Sequence, residues 1–85
     1  MIRNLLNAIP EGTSHGRFRG KTYLVSKSIH NAGRSIKLFA EEAGGDDFVS
    51  LNFYETNRGE SLKPCEMPAE KVLTFLREYD PEKSP

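Results

Sequence analysis

The stretch that most limits what this chain can become is Ser35 to Tyr54, two alternating runs joined by Glu42-Ala43-Gly44-Gly45-Asp46-Asp47. Ile36, Leu38 and Ala40 alternate with Ser35, Lys37, Phe39 and Glu41; Val49, Leu51 and Phe53 alternate with Phe48, Ser50, Asn52 and Tyr54. Successive side chains of a strand point to opposite sides, so this pattern predicts two half-buried strands. Gly44 and Gly45 can take positive φ, and Asp46 and Asp47 can bond their own backbone, so the connector reads as a turn. Setting Glu41 opposite Phe48 places Ala40 by Val49, Leu38 by Leu51 and Ile36 by Phe53, all on one side. A hairpin with one apolar face is not stable alone and needs cover.

The flanking segments offer that cover. Ile2, Leu5, Leu6 and Ile9 recur at i, i+3, i+4 and i+7, one stripe of a short helix over 1–9 that Pro10 ends. Pro10 to Gly16 reads as loop, and Arg17-Phe18-Arg19 as a short edge strand or more loop. Lys21 to Ile29 reads as a strand, turned back by His30-Asn31-Ala32-Gly33. An odd-sum register there sets Tyr23 and Val25 beside Leu38 and Ala40, and turns Lys27 inward, where its stem must snorkel. Asn57-Arg58-Gly59 is a three-residue turn into a fourth strand, Ser61 to Glu66, kept to an edge by Pro64. Pro68 opens a second helix with Ala69, Val72, Leu73, Leu76 and Tyr79 on its apolar stripe and Phe75 on its flank. The expected fold class is α+β. It comprises an antiparallel meander of three to four strands, a C-terminal helix on one face and a short N-terminal helix. Residues 1–80 form a single domain, and 81–85 a disordered tail.

The same parity turns Leu24, Phe39 and Phe48 to the other face, too apolar a set for simple exposure. Either the sheet curls into a half-barrel, a chain element covers that face, or it is an interaction surface. Cover by the chain itself or by a second copy is the favoured reading.

Net charge is zero but unevenly laid out. Residues 1–40 hold seven bases and one acid, residues 41–85 five bases and eleven acids, so the halves stand at +6 and −6. Neutralisation between the packed halves is the simplest account, with a basic binding face as the alternative. One cysteine makes no internal disulfide, and no apolar run approaches the length of a membrane span. Asn4 and Asn7 break the N-terminal apolar stretch, against a signal peptide. A soluble, reducing, cytoplasmic setting is expected, without membrane contact.

Few residues suggest chemistry. Cys65, in Leu62-Lys63-Pro64-Cys65-Glu66-Met67-Pro68, precedes a helix N-terminus and follows a lysine, both of which favour a thiolate. It is the one catalytic candidate, for a thiol-dependent enzyme such as a methionine sulfoxide reductase. The Gly-Cys-Phe-Trp start and the paired-cysteine framework of such reductases are missing, and a small buried side chain is the simpler reading. His15, His30 and Cys65 match no metal-ligand spacing, and the acids around Gly44-Gly45 lack the order of a calcium loop. Gly16-x-x-x-Gly20-Lys21-Thr22 is a residue short of a phosphate loop and precedes a strand. No cofactor or metal is expected, and binding is favoured over catalysis.

Two binding readings remain. A protein partner or a homodimer would use Leu24, Phe39 and Phe48. Single-stranded nucleic acid would use the basic region 17–37: Arg17, Phe18, Arg19, Lys21, Arg34 and Lys37, with Phe18 or Tyr23 stacking a base. Tyr23 is more economically a core residue. The blocks Asn31-Ala32-Gly33-Arg34-Ser35-Ile36-Lys37 and Leu62-Lys63-Pro64-Cys65-Glu66-Met67-Pro68 together resemble small bacterial proteins of unassigned function, over roughly residues 16 to 77 of one small domain. That resemblance implies a bacterial cytosolic origin and carries over no site residue.

Overall fold

The computed structural model describes residues 2–82. In chain order it has α1 (Ile2–Asn7), β1 (Gly12–Phe18), β2 (Lys21–His30), β3 (Ser35–Glu42), β4 (Phe48–Thr56), β5 (Gly59–Pro64), α2 (Ala69–Glu78) and β6 (Asp80–Pro81), with a 3-10 turn at Asn31–Gly33 between β2 and β3. The strands form one antiparallel sheet in the order β5-β4-β3-β2-β1-β6. The class is the expected α+β, but six strands replace the expected three to four.

The central hairpin pairs as its pattern dictates: Glu41 opposite Phe48, Ala40 opposite Val49, Leu38 opposite Leu51 and Ile36 opposite Phe53. On β2, Ile29 faces Ile36 and Val25 faces Ala40, an odd-sum register. These side chains form one core with Leu6 and Ile9 from the α1 segment and Val72, Phe75, Leu76 and Tyr79 from α2. Phe75 is fully buried at the centre of the α2 stripe, not on its flank. Its ring meets Phe18, Tyr23 and Tyr79 at 5.0, 5.4 and 4.9 Å between centroids.

The two additional strands have physical reasons to escape a periodicity reading. β1 (GTSHGRF) has only Phe18 as a large apolar residue, so it shows no alternation. Gly16 is required there because a Cβ would overlap the Tyr79 ring. The β1–β2 turn is two residues, Arg19-Gly20, both left-handed (φ 51° and 81°). Arg19 bears that strain while donating to the Glu78 carboxylate from Nε (2.8 Å) and Nη2 (3.0 Å). β6 adds to β1 through Arg17 opposite Asp80 and Gly16 opposite Pro81, and the Glu82 N–H donates to the His15 carbonyl at 2.9 Å. Pro81 and Glu82, expected in a frayed tail, are therefore tied to the sheet; 83–85 lie outside the described residues.

Lys27 settles how α1 docks. Only 5% exposed, it does not snorkel: its ammonium donates to the Leu6 and Ile9 carbonyls, 2.7 Å each. The Leu6 carbonyl, in the last turn of α1, accepts from the Ile9 N–H as well, and a cation there complements the negative end of the helix dipole. Burial pushes the Lys27 ammonium below its ordinary pKa, with nearby Arg3 adding to the shift and Glu11 opposing it. Because Lys27 shares the core side with Val25, α1 lies on the same side of the sheet as α2. Both helices cover one face, and the molecule is a slab of 39 × 31 × 18 Å.

Candidate functional site

With both helices on one side, the other side of the sheet has no covering layer among the described residues. The expectation that a chain element covers Leu24, Phe39 and Phe48 is thereby corrected. The three lie close together: Phe48 is the cross-strand partner of Glu41, which in turn faces Leu24, and the Phe39 and Phe48 rings stack at 6.1 Å with 29° between planes. Phe39 is 41% exposed and Tyr54, on the same face, 40%.

The registers place the rest of this face. One row across β5, β4, β3 and β2 reads Lys63, Asn52, Lys37, Ser28, and a neighbouring row reads Ser61, Tyr54, Ser35, His30. Phe39 lies between Ser50 and Ser26. His15 and Arg17 occupy the same face on β1, with Asp80 opposite Arg17. The two sequence blocks at 31–37 and 62–68 thus meet here, through Lys37 and Lys63 on either side of Asn52.

Of the sequence-predicted binding residues, the structure gathers Arg17, Leu24, Lys37, Phe39 and Phe48 on one face and disperses the others. Phe18 turns to the helix side, 5.7 Å from Tyr23 and edge-on to it, and is not free to stack a base. Tyr23 is buried, and its hydroxyl donates to Asp47 at 2.7 Å. Arg19 is committed to Glu78, and Lys21 lies 3.5 Å from Glu42. Arg34 stands at one end of the face, beside a pocket of about 570 Å³ that includes Tyr54, Ser35, Asn31 and Asn57. The basic region 17–37 is therefore not one patch, because a strand sends alternate residues to opposite sides. The sequence pattern does not single out Tyr54, Asn52 or Lys63 as binding residues, although Tyr54 and Asn52 share parity with Phe48.

The charges divide by face. On the helix side and the rim, Arg3 reaches Glu55 at 2.6 Å, Lys71 reaches Asp47 at 2.6 Å, and Arg19 and Lys21 are paired with Glu78 and Glu42. The Lys71 and Tyr23 hydrogen bonds hold the Asp47 carboxyl below its ordinary range, so the hairpin tip is a tie, not merely a solvated acidic loop. Burial, then the Asp47 bond, pushes the Tyr23 phenol up. Tyr79 is likewise pushed up to about 12, by burial first and then by Asp80 and Glu82. Three of the ion pairs join the basic half to the acidic half, as neutralisation requires. No such pair among the described residues involves Lys37, Lys63 or Arg34.

Cys65 also borders the open face. Its thiol is half-buried and accepts from the Asn52 amide at 3.6 Å, and its N–H donates to the Ser50 carbonyl at 3.0 Å. Its side-chain contact is thus an amide, not a base able to take the thiol proton. Among the described residues, no cluster of three or more His, Cys, Asp or Glu side chains can hold a metal ion, and no helix is long and apolar enough to cross a membrane. Neither family models, curated proteins nor solved structures match this chain.

Proposed function

We propose that the protein is a small binding module whose working surface is the open face of the sheet. One observation carries this reading: Phe39, exposed and stacked on Phe48, lies on a face over which neither helix is layered, in line along β3 with Lys37, which has no carboxylate partner. Only the edge is touched by α2, where the Asp47-paired Lys71 ammonium lies 5.8 Å from the Phe48 ring centre. Stability does not ask for this arrangement. Exposed aromatic rings gain little from the fold, and unpaired cations on one face add mutual repulsion. The Cys65 thiol fits a reducing cytoplasmic setting and belongs to the face as a polar contact, not as a nucleophile. The test is a photo-crosslinking amino acid at position 39, with a control at Arg77 on the exposed side of α2. A binding module of this kind gives macromolecular adducts in cells from position 39 and few from position 77. Equal yields at both positions, or none at 39, would end the proposal.

A further inference from the structure

Resting on the open face as a binding surface, we infer that it takes single-stranded nucleic acid, laid along β3 and β4 from Phe48 and Phe39 toward Tyr54. The order of chemistry along these strands suits such a ligand. Tyr54 is opposite Ser35, four residues along β3 from Phe39, a separation of about 13 Å at strand rise. Between these aromatic platforms runs the row Lys63, Asn52, Lys37. A base can stack at each end while the intervening backbone crosses two cations and an amide.

Past Tyr54 the surface dips into the pocket of about 570 Å³. Asn57, and the remaining hydrogen-bonding capacity of Asn31 and Ser35, which bond each other at 2.9 Å, can meet a base edge. Arg34 supplies a cation for the next phosphate, and the Glu55 carboxylate, also in the lining, is paired with Arg3.

Composition and charge select this partner over a protein or a second copy. Around the rings the face is made of Ser26, Ser28, Ser50, Asn52 and Lys37, with Leu24 and Glu41 at the Phe48 end, and the cores of protein interfaces are depleted in serine and lysine. These are groups that contact phosphate and sugar. On the strands, Arg17, Lys37 and Lys63 stand against Glu41 and Asp80; neither acid is in the Lys63–Lys37 row, and Glu41 sits opposite Phe48 at the far end of the path. A second copy packed face to face would set that cationic row against its own charge. A single strand brings the opposite charge and π-faces together.

Fluorescence anisotropy with labelled oligo(U), oligo(A) and oligo(dT), and with duplex DNA, tests this across a salt series. The expected result is single-strand binding that weakens with salt, at a log–log slope of about −2 for the three cations Lys37, Lys63 and Arg34. Phe39→Ser should weaken it about tenfold and Phe39→Tyr should restore it, since a tyrosine ring also stacks. Lys37→Ala or Lys63→Ala should each make the slope shallower by about 0.7, while Arg77→Ala leaves binding unchanged. The RNA and DNA arms show which sugar is preferred, and either preference fits. The inference is overturned by absence of binding at about 20 mM salt, by duplex bound as tightly as single strands, or by indifference to Phe39→Ser in a variant that unfolds like the parent. Crosslinks from position 39 that carry protein alone would remove the nucleic acid and leave the binding module standing.

Discussion

Lys27 and Lys37 lie on neighbouring strands and on opposite faces of one sheet, and they live under different rules. Lys27 is buried beneath α1 with two carbonyls on its ammonium, so its charge is spent on holding a helix. Lys37 is exposed on the other side without a carboxylate. Phe53 and Phe39 repeat the contrast: one is fully buried with the Arg3 guanidinium 5.3 Å from its ring centre, the other is 41% exposed. On the covered face Lys27 and Tyr23 find partners within the chain, although the Ser14 and Tyr79 hydroxyls are buried there without one. The open face is left to be answered from outside, and a partner finds its contacts there.

Phe75→Ala should break the covered face hardest, with about 3–5 kcal/mol lost in denaturant unfolding, a large share of what so small a domain has. Phe39→Ala should cost no more than about 1 kcal/mol, the worth of one exposed ring pair. If the two losses came out equal, the division between the faces would be wrong. Next in size after Phe75→Ala is Lys27→Met, expected to cost about 1–3 kcal/mol because the Ile9 carbonyl loses the ammonium and the Leu6 carbonyl keeps only the Ile9 N–H. Amide exchange in α1 should quicken in that variant more than in β3 or β4. Lys37→Met, the same change on the open face, should stay within about 0.5 kcal/mol.

A smaller effect than that of Lys27 belongs to Asp47, which joins the hairpin tip to Tyr23 and Lys71 at a partly exposed site. Asp47→Asn should cost about 1 kcal/mol, discounted for solvent screening. The folded carboxyl titrates below its ordinary value of 3.8, so its contribution is complete above that pH. It is lost as pH falls from 3.8 through the lower folded value, since protonation there removes the charge that Lys71 and Tyr23 hold. Acid unfolding of Asp47→Asn should therefore rise less steeply over that window. An unchanged acid limb would mean that the tie does not stabilise the fold.

The hairpin and its register are legible in the sequence because Ser35–Glu41 and Phe48–Tyr54 each alternate without a break, and one buried face fixes the pairing. Lys27 is legible as inward by the same parity, but its partners are not, since they are backbone carbonyls of a segment distant in sequence. β1 is not legible: its glycine answers the Tyr79 ring, a contact that exists only after α2 has docked. Of the open face, parity supplies Leu24, Phe39 and Phe48 and also holds Tyr54 and Asn52. Lys63 needs the β4–β5 turn, where Thr56 pairs with Gly59 and so sets Lys63 opposite Asn52. That both helices share one side follows from no periodicity. It follows from where Lys27 finds acceptors.

The most direct test of the division between faces is hydroxyl-radical oxidation of the purified protein, read residue by residue by mass spectrometry at low protein concentration. Phe39, Phe48 and Tyr54 should be oxidised readily, while Phe53, Phe75 and Tyr23 stay protected until the protein unfolds. Protection of Phe39 and Phe48 in the folded monomer would mean that the chain itself covers this face, and would contradict the division into a covered and an open side.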